Sequence, residues 1–314
     1  MEFGHLPEEM LDKADLSLPA DPPINDAVLP GLRATDPKLY LGATRWTQPE
    51  WLGNLYPEKA KAADFLQHYA AQFNCIELNA THYKLYDAVA MLRWQQQAEA
   101  GSSPVGRSPF LFCPKLYQGI THRGSLKGKE SMVSEFTTAM DALRDRGDGN
   151  LGPIFIQLSE AFGPGRQVEL LEFLSSLPTG FNWMVELRHP EWFSKPTRTE
   201  QFFETLRTIN IGAVITDVAG RRDVCHMHLT LPSTMIRFVG NQGHPTDYTR
   251  LEAWATRLAK WYDAGLQQAV FLLHLGNDAV LPDFSQFAAK TLSTATGIAL
   301  SPPKLHESSQ GKLF

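Results

Sequence analysis

Short apolar runs alternate with longer amphipathic segments over most of the chain. An apolar run of about four to eight residues is typical of a buried strand, whereas apolar positions that recur about every three or four residues indicate a helix. Phe65, Tyr69 and Phe73 recur with the helical spacing, and aromatic and leucine residues follow one helical stripe through residues 248–262. This alternation predicts an α/β fold made of repeated strand–helix units.

The pattern predicts eight strands, and all but the sixth are followed by a helix or a helix-length connection. The predicted strands are 39–43, 74–79, 110–114, 153–158, 182–189, 212–217, 234–238 and 269–274, and the predicted helices are 61–73, 87–99, 129–144, 166–177, 198–209, 247–262 and 281–294. Strands apolar enough to be buried on both faces favour a parallel (β/α)8 TIM-type barrel. A doubly wound open sheet is the alternative, but no Gly-x-Gly-x-x-Gly follows the first strand.

The two ends of the chain differ from this central region. Residues 1–37 are rich in proline and aspartate and show no sustained period, which predicts an irregular N-terminal extension. Residues 38–300 form the predicted barrel domain. Residues 301–314 begin with Ser-Pro-Pro and turn polar, so they are predicted to form a short mobile tail.

The fifth predicted strand carries the charges around which a site can be built. Val185 and Leu187 share one face, Glu186 and Arg188 share the other, and His189 follows directly. Charges are costly to bury without partners, so the second face must meet a polar cavity or a paired network. A Glu–Arg pair that only braces the barrel is the alternative interpretation.

The same alternation puts polar side chains at the carboxyl ends of several other strands, where α/β barrels bind their ligands. The predicted catalytic residues are Glu77, Lys115, Glu186, His189 and Asp217, and the predicted substrate-binding residues are Trp46, Asn79, Gln157, Arg188, Arg237, His274 and Asn277. Arginines and a lysine among acids suit a small anionic substrate, such as a phosphate or a carboxylate. A carboxylate near a histidine would supply a general acid and a general base.

Three features leave alternatives open. Lys115 has the position of a Schiff-base lysine in an aldolase barrel, or it serves as an ion-pair partner of the acids. Trp46, Trp51 and Tyr56 form either a lid that stacks on substrate or a plug at the barrel mouth. A divalent metal on Glu77, His82, Glu186, Asp217 or His274 is the alternative to a metal-free pocket. No metal or other cofactor is predicted, because the neighbouring cations would compete with the metal and the histidines and cysteine of segment 225–228 lack a second ligand pair.

Composition narrows the class of protein and its partners. The chain is 43% hydrophobic and 20% charged, which is typical of a globular protein with an ample core. A net charge of -5 argues against nonspecific coating of nucleic acid. The sequence has no long apolar run and no basic segment followed by an apolar one at its start, so neither a membrane span nor a secretory signal is expected. Three widely spaced cysteines fit reduced thiols, and a cytoplasmic location is predicted.

Several segments carry a family resemblance. They are Gly42, 46–57, 76–83, Phe112, Lys115, Thr121, His122, 151–154, Gln157, Leu158, 185–190, Thr216, Asp217 and 236–240. Together they resemble the YecE-like proteins, a broad bacterial and archaeal family classed as a domain of unknown function. The resemblance implies a TIM barrel over about residues 39–300 and no established reaction or cofactor. Much of the wider family has glycine where this chain has Arg45 and histidine where it has Val239, so a mechanism that needs that histidine is in doubt here.

The sequence therefore predicts an enzyme of hydrolase or lyase type that acts on a small anionic or phosphorylated compound. A non-catalytic module that binds an anion or a nucleotide is the alternative, and acid and base pKa values pushed apart would distinguish catalysis from binding.

A second expectation concerns a partner protein. Gln310, Leu313 and Phe314 form a Gln-x-x-Leu-Phe peptide behind the polar tail. It resembles the short peptide by which bacterial DNA-replication and repair proteins dock on the sliding clamp, with two apolar anchors filling a pocket. A clamp-tethered accessory of DNA repair is thus a further possibility for this chain. In the alternative interpretation, Leu313 and Phe314 fold back onto the barrel.

Overall fold

The computed structural model of this chain describes residues 4, 6–102, 109–144 and 149–306. Eight strands form one sheet, in the order β3-β2-β1-β8-β7-β6-β5-β4, and all their recorded pairings are parallel. The strands are β1 (Lys38–Ala43), β2 (Cys75–Leu78), β3 (Leu111–Pro114), β4 (Ile154–Gln157), β5 (Trp183–Glu186), β6 (Gly212–Val218), β7 (Ser233–Val239) and β8 (Gln268–His274).

β3 and β4 close the sheet into a barrel. Parallel bridges join Phe112 to Leu151 and Lys115 to Phe155. The backbone N–H of Leu116 donates to the carbonyl of Phe155 at 3.0 Å. Closure brings the carboxyl ends of all eight strands to one rim, and it confirms the predicted TIM-type barrel.

Helices cover the outside of the barrel. They are α1 (Glu8–Leu11), α2 (Ile24–Val28), α3 (Phe65–Gln72), α4 (Ala80–Tyr83), α5 (Ala88–Gly101), α6 (Gln118–Thr121), α7 (Glu130–Arg144), α8 (Gln167–Ser175), α9 (Pro196–Thr208), α10 (Pro245–Ala264) and α11 (Leu281–Thr296). Between β6 and β7 the chain forms only the short 3-10 turn Arg222–Val224, as the missing helical period predicts. Within the described ranges, no helix combines the length and the apolar character needed to cross a bilayer.

The barrel interior has an apolar layer below a polar one. The apolar layer contains Tyr40, Cys75, Leu111, Cys113, Phe155, Met184, Val214, Met235, Val270 and Leu272. Because strand side chains alternate with a period of two, the next inward-facing position on each strand lies two residues further along. On β2 to β8, these positions are occupied by Glu77, Lys115, Gln157, Glu186, Thr216, Arg237 and His274, a set that we call the polar layer. The apolar layer supports the polar layer from below.

The described part of the N-terminal extension is fastened to the barrel by side-chain hydrogen bonds. Asp21 accepts from Arg257 at 2.7 Å and from the indole N–H of Trp261 at 3.0 Å. Asn25 donates to the carbonyl of Met227 at 2.8 Å. The predicted irregular segment is therefore anchored over α10 and over the β6–β7 connection.

The predicted tail is also held to the barrel over its first residues. The side chain of Gln286 donates to the carbonyl of Pro303 at 2.8 Å, and the backbone N–H of His306 donates to the carbonyl of Asn54 at 2.8 Å. Leu305 packs against the hydrophobic core. Residues 301–306 thus stay on the barrel surface. The peptide of Gln310, Leu313 and Phe314 lies outside the described residues.

Candidate functional site

Two carboxylates and two guanidiniums alternate across the carboxyl-terminal rim of the barrel. Arg237 donates to Glu77 through Nε at 2.8 Å and through Nη2 at 2.9 Å, which is a bidentate pair. Its Nη1 reaches the Oε1 of Glu186 at 3.2 Å. The Nε of Arg188 donates to that same Oε1 at 2.8 Å. We call this series, Glu77–Arg237–Glu186–Arg188, the charge chain, and all four of its side chains are buried.

Neutral side chains complete the surroundings of Glu186. Gln157 donates to its Oε2 at 2.8 Å, and the hydroxyl of Thr216 donates to its Oε1 at 2.8 Å. Every oxygen of this fully buried carboxylate therefore has at least two donors. Sequence reasoning overlooked Thr216, although β6 places it on the same inward face as Val214.

Asp217 does not share this pocket, and the prediction that it does is wrong. It follows Thr216 directly, so its side chain turns to the outer face of β6. There its Oδ2 accepts from the indole N–H of Trp254 at 2.7 Å, and its Oδ1 pairs with Arg250 at 3.0 Å and with Arg222. Asp217 therefore attaches α10 to the barrel instead of facing a substrate.

His189, Trp46 and Asn277 are also absent from the cavity lining. The Nδ1 of His189 accepts from the backbone N–H of Glu191 at 3.2 Å and so caps a 3-10 turn. Asn277 accepts from the N–H of Ala279 at 3.0 Å in the turn before α11. Each of these side chains satisfies local backbone or packing, because the chain leaves the barrel axis once its strand has ended.

The aromatic loop is a plug and not a lid. Trp51 and Tyr56 are fully buried and pack edge to face, with 5.5 Å between their ring centroids. Trp46 packs in the same way against Trp94 at 5.6 Å, and its carbonyl accepts from the hydroxyl of Tyr56 at 2.8 Å. Of the two interpretations, the structure supports a packed closure beside the barrel mouth.

A cavity of about 420 Å³ opens above the charge chain. The predicted residues that line it are Glu77, Asn79, Lys115, Gln157, Arg188, Arg237 and His274. Glu186 does not line the cavity itself, but it is hydrogen-bonded to Gln157, Arg188 and Arg237, which do. Asn79 donates to Glu77 at 2.9 Å, which holds that carboxylate from a second side.

Residues that sequence reasoning missed, in loops and at the ends of strands and helices, complete the lining. They are Gly4, Thr44, Tyr83, Val218, Gly240, Asn241 and Gly276, together with Arg45 and Val239. The last two are the positions that the family resemblance singled out in the sequence, and that resemblance was the available signal for them. Arg45 pairs with Asp278 at 3.3 Å, so its charge is largely compensated.

The carboxyls of the charge chain are held ionised. Burial raises the pKa of Glu77, but the adjacent Arg237 guanidinium outweighs it and the pKa lies below its ordinary value. Burial likewise opposes ionisation of Glu186, whose pKa is nevertheless far below its ordinary value because of Arg188 and Arg237. Neither carboxyl holds a proton to donate near neutral pH.

Lys115 is the titratable cation of the polar layer. Its amine is buried and donates to the Oε1 of Gln157 at 2.7 Å. Burial and the charge of Arg237 lower the pKa of Lys115 to about 8, against the opposing attraction of Glu77 and Glu186. In the part of the chain that the structure describes, no carboxylate forms an ion pair with this amine. Its charge is therefore adjustable near physiological pH.

His274 contributes a neutral imidazole. Burial and the charge of Arg237 lower the pKa of His274 to about 4. Its Nδ1 is buried and has no hydrogen-bond partner among the described residues. A neutral ring with one uncommitted nitrogen is a candidate proton acceptor or hydrogen-bond partner for a ligand.

The described charges of the polar layer and of Arg188 sum to one positive charge when Lys115 is protonated. The two carboxylates and the two guanidiniums of the charge chain cancel, and protonated Lys115 adds one positive charge. Over the described ranges, no group of three or more histidine, cysteine or acidic side chains is placed to hold a metal ion. The carboxylates of the charge chain face guanidiniums instead.

The fold and the site define a TIM-type barrel with a polar pocket at the carboxyl ends of its strands. Residues 40–306 match the family described as "Protein of unknown function DUF72", and the chain belongs to that family. This confirms the resemblance found in the sequence.

Two relatives with similar sequences both bear the designation UPF0759. The UPF0759 protein YecE of Escherichia coli K12 is 31% identical over 242 residues, which cover 71% of this chain and 82% of that protein. The UPF0759 protein YunF of Bacillus subtilis 168 is 25% identical over 163 residues, which cover 50% of this chain and 53% of that protein.

Solved structures show the same fold. A DUF72 family protein from Enterococcus faecalis V583 superposes with a TM-score of 0.62 at 16% identity, covering 85% of this chain and 100% of that chain. A DUF72 family protein from Thermotoga maritima MSB8 gives 0.58 at 19% identity, covering 76% and 92% respectively. Because the sequence identities are only 16% and 19%, the similarity shows that the barrel fold is shared and no more.

Proposed function

We propose that the protein is an enzyme that acts on a small organic anion bound in the cavity above the charge chain. The observation that carries this proposal is the amine of Lys115, which forms no ion pair with a described carboxylate, beside the mutually paired charges of Glu77, Arg237, Glu186 and Arg188. A buried cation without an acidic partner is unfavourable, so an anionic ligand would supply the missing charge.

The lining supports recognition of a carboxylate or a phosphate. Arg188 lies at the cavity wall, where its guanidinium is oriented by Glu186. Guanidiniums bind carboxylates and phosphates through paired N–H groups, so the position of Arg188 at the wall makes it a candidate contact for a ligand anion. The cavity has a volume of about 420 Å³, which suits a compact substrate.

Lyase-type chemistry fits the site better than carboxylate-driven hydrolysis does. Hydrolysis by a pair of acids needs one carboxyl that is protonated, whereas both Glu77 and Glu186 are held as anions by Arg237. Lys115, with a pKa of about 8, exchanges a proton near neutral pH, and neutral His274 accepts one. These two groups would serve proton transfer at a substrate carbon or leaving group.

A non-catalytic anion-binding module is the second candidate. The observation in its favour is that guanidiniums pair with both carboxylates of the site, while the amine of Lys115 forms no ion pair with a described carboxylate. Turnover, and not binding, separates the two candidates.

The test compares the intact chain with Lys115→Gln, and with Lys290→Gln as a matched control on the exposed surface of α11. Thermal shift and calorimetry would use phosphate, lactate, glycolate and glycerol 3-phosphate. At least one of these anions should stabilise the intact chain and Lys290→Gln, and bind about tenfold more weakly to Lys115→Gln. Equal binding by all three proteins, or none by any, would refute the proposal.

Turnover would be followed by proton and phosphorus NMR on a panel of small phosphorylated and carboxylated compounds. Consumption of a compound that stops in Lys115→Gln would support the enzyme. Binding of several anions with no consumption of any compound would support the binding module instead.

A further inference from the structure

Lys115 has the position of a nucleophile, and not only that of a charge. It follows β3 at the carboxyl-terminal rim and lines the cavity, so its amine faces the space where a substrate would bind. Its hydrogen bond is to a neutral amide oxygen, and no described carboxylate holds it as an ion pair. A lysine becomes nucleophilic when burial and neighbouring cations favour the neutral amine, and Arg237 and Arg188 are such neighbours.

The amine is also fixed in direction. Gln157 accepts from Lys115 with its carbonyl oxygen, and its own amide donates to Glu186 at 2.8 Å. Glu186 is in turn held by Arg188, Arg237 and Thr216. This relay of hydrogen bonds sets the orientation of the Gln157 amide, which fixes one N–H of Lys115 and leaves the nitrogen lone pair for a ligand.

We propose that Lys115 forms a covalent imine with the carbonyl carbon of a small aldehyde or ketone that carries a carboxylate or a phosphate. This inference rests on the anion-binding function proposed above, and it names the substrate class. Arg188 would hold the anionic group, and the carbonyl carbon would meet the amine. His274, which lines the same cavity, would accept and return protons.

The step balances without any oxidant or reductant. The nitrogen lone pair of Lys115 forms a C–N bond to the carbonyl carbon, the C=O π electrons move to oxygen, and oxygen gains the proton that nitrogen loses. The hydroxyl of this carbinolamine takes up a second proton, delivered from solvent water through His274, and the C–O bond breaks so that water leaves. The nitrogen lone pair forms the C=N bond while the nitrogen keeps its remaining hydrogen, which gives the protonated imine. The protonated imine withdraws electrons from an adjacent C–H or C–C bond, which is the usual route of a lysine-dependent lyase.

The experiment traps the imine by reduction. The full-length protein would be mixed with pyruvate, glyoxylate or glyceraldehyde 3-phosphate, reduced with borohydride and measured by intact mass and peptide mapping. One adduct per chain on Lys115 is expected with at least one of these compounds, at about tenfold or more over any other lysine. Lys115→Arg, which keeps the charge but forms no imine, should remain unmodified, and Lys290→Gln should react like the intact chain.

Matched anions without a carbonyl separate this inference from the proposed function. Lactate, glycolate and glycerol 3-phosphate would be tested for binding by thermal shift. If they bind while none of the carbonyl compounds gives an adduct on Lys115, the imine is refuted and the anion site stands. If neither kind of compound binds or reacts, both proposals are refuted. Labelling spread equally over exposed lysines and unchanged in Lys115→Arg also refutes the imine.

Discussion

At the scale of single residues, Arg237 is the member of the charge chain that joins its two carboxylates. It makes a bidentate pair with Glu77 and reaches both oxygens of Glu186, and its guanidinium lies 5.6 Å from the ring centroid of Phe155 below. Burial opposes its charge, but the two carboxylates raise the pKa of Arg237 further above its ordinary value. Both acids are paired with this cation, and Glu186 is held by Arg188 as well.

Replacement of Arg237 by methionine should destabilise the protein strongly. Methionine fills similar volume but leaves Glu77 and Glu186 buried with fewer donors, which costs about 3–5 kcal/mol of unfolding free energy. Urea denaturation would measure this. Arg207→Met removes an arginine that pairs with Glu204 on the exposed surface of α9, and it should change stability little. Equal effects of the two substitutions would contradict the central role given to Arg237.

Lys115 makes ligand binding depend on pH. Burial and the charge of Arg237 lower the pKa of Lys115 to about 8, so the amine is mostly protonated below that pH and mostly neutral above it. Affinity for lactate or phosphate should therefore fall as pH rises through about 8, because the positive charge that attracts the anion is lost. Calorimetry between about pH 7 and about pH 9.5 would show the decline.

The control for this pH effect is Lys115→Arg. Arginine stays charged over the whole range, so the decline near pH 8 should disappear in that variant. A decline that persists unchanged in Lys115→Arg would assign the effect to another group. Imine trapping should show the opposite trend in the intact chain, since only the neutral amine attacks a carbonyl.

At the scale of the elements, the contact between β1 and β2 depends on a missing side chain. A Cβ at Gly42 would lie 2.1 Å from the carbonyl oxygen of Cys75. This oxygen is part of the backbone of β2, so it cannot move without shifting the strand. Gly42 also pairs with Cys75 in the strand register. The sequence shows a glycine inside a predicted strand, and the structure supplies the reason as a close backbone approach.

Gly42→Ala should therefore loosen this part of the barrel. An expected loss of about 1–3 kcal/mol reflects the overlap and the shift of β1 needed to relieve it. Gly165→Ala is the matched control, because a Cβ there meets no atom within 4 Å and Gly165 lies in a turn before α8. Chemical denaturation of both variants gives the measurement. A stable Gly42→Ala protein would show that β1 and β2 separate more easily than their register suggests.

At the scale of the whole molecule, the net charge is -5, whereas the pocket contains the amine of Lys115 beside paired charges. The negative exterior disfavours diffuse binding of nucleic acid, whereas the enclosed amine and guanidiniums suit a small anion. Any contact with DNA-associated machinery would then need a tether. The peptide of Gln310, Leu313 and Phe314 is the candidate for that tether.

Docking of this peptide on a bacterial sliding clamp is tested by fluorescence titration of the purified clamp. The full-length chain should bind, and a Leu313→Ala, Phe314→Ala double variant should lose most of the affinity, because the two side chains are the apolar anchors. Lys312→Ala, at an unspecified position of the motif, should bind like the intact chain. Binding that is equal in all three proteins, or absent in all, would dismiss the tether.

The sequence by itself determined the barrel and most of the polar layer. Short apolar runs indicate buried strands, and the two-residue alternation of strand side chains determines which positions share a face. Since the carboxyl ends of parallel strands meet at one rim, Glu77, Lys115, Gln157, Glu186 and Arg237 could be placed together without knowing any contact between them. These inferences needed only local periodicity and strand direction.

Side-chain pairing across the barrel, the facing of β6 and the paths of the loops follow from tertiary packing and cannot be obtained from local periodicity. Pairing across the barrel joins Arg237 to Glu77, 160 positions away, and no spacing in the chain specifies that partner. The phase of β6, set by its packing, turned Thr216 inward and Asp217 toward α10. Arg45, in the loop after β1, and Val239, at the end of β7, help to complete the cavity. Loop paths and strand ends follow from the packing of whole elements and not from a repeat.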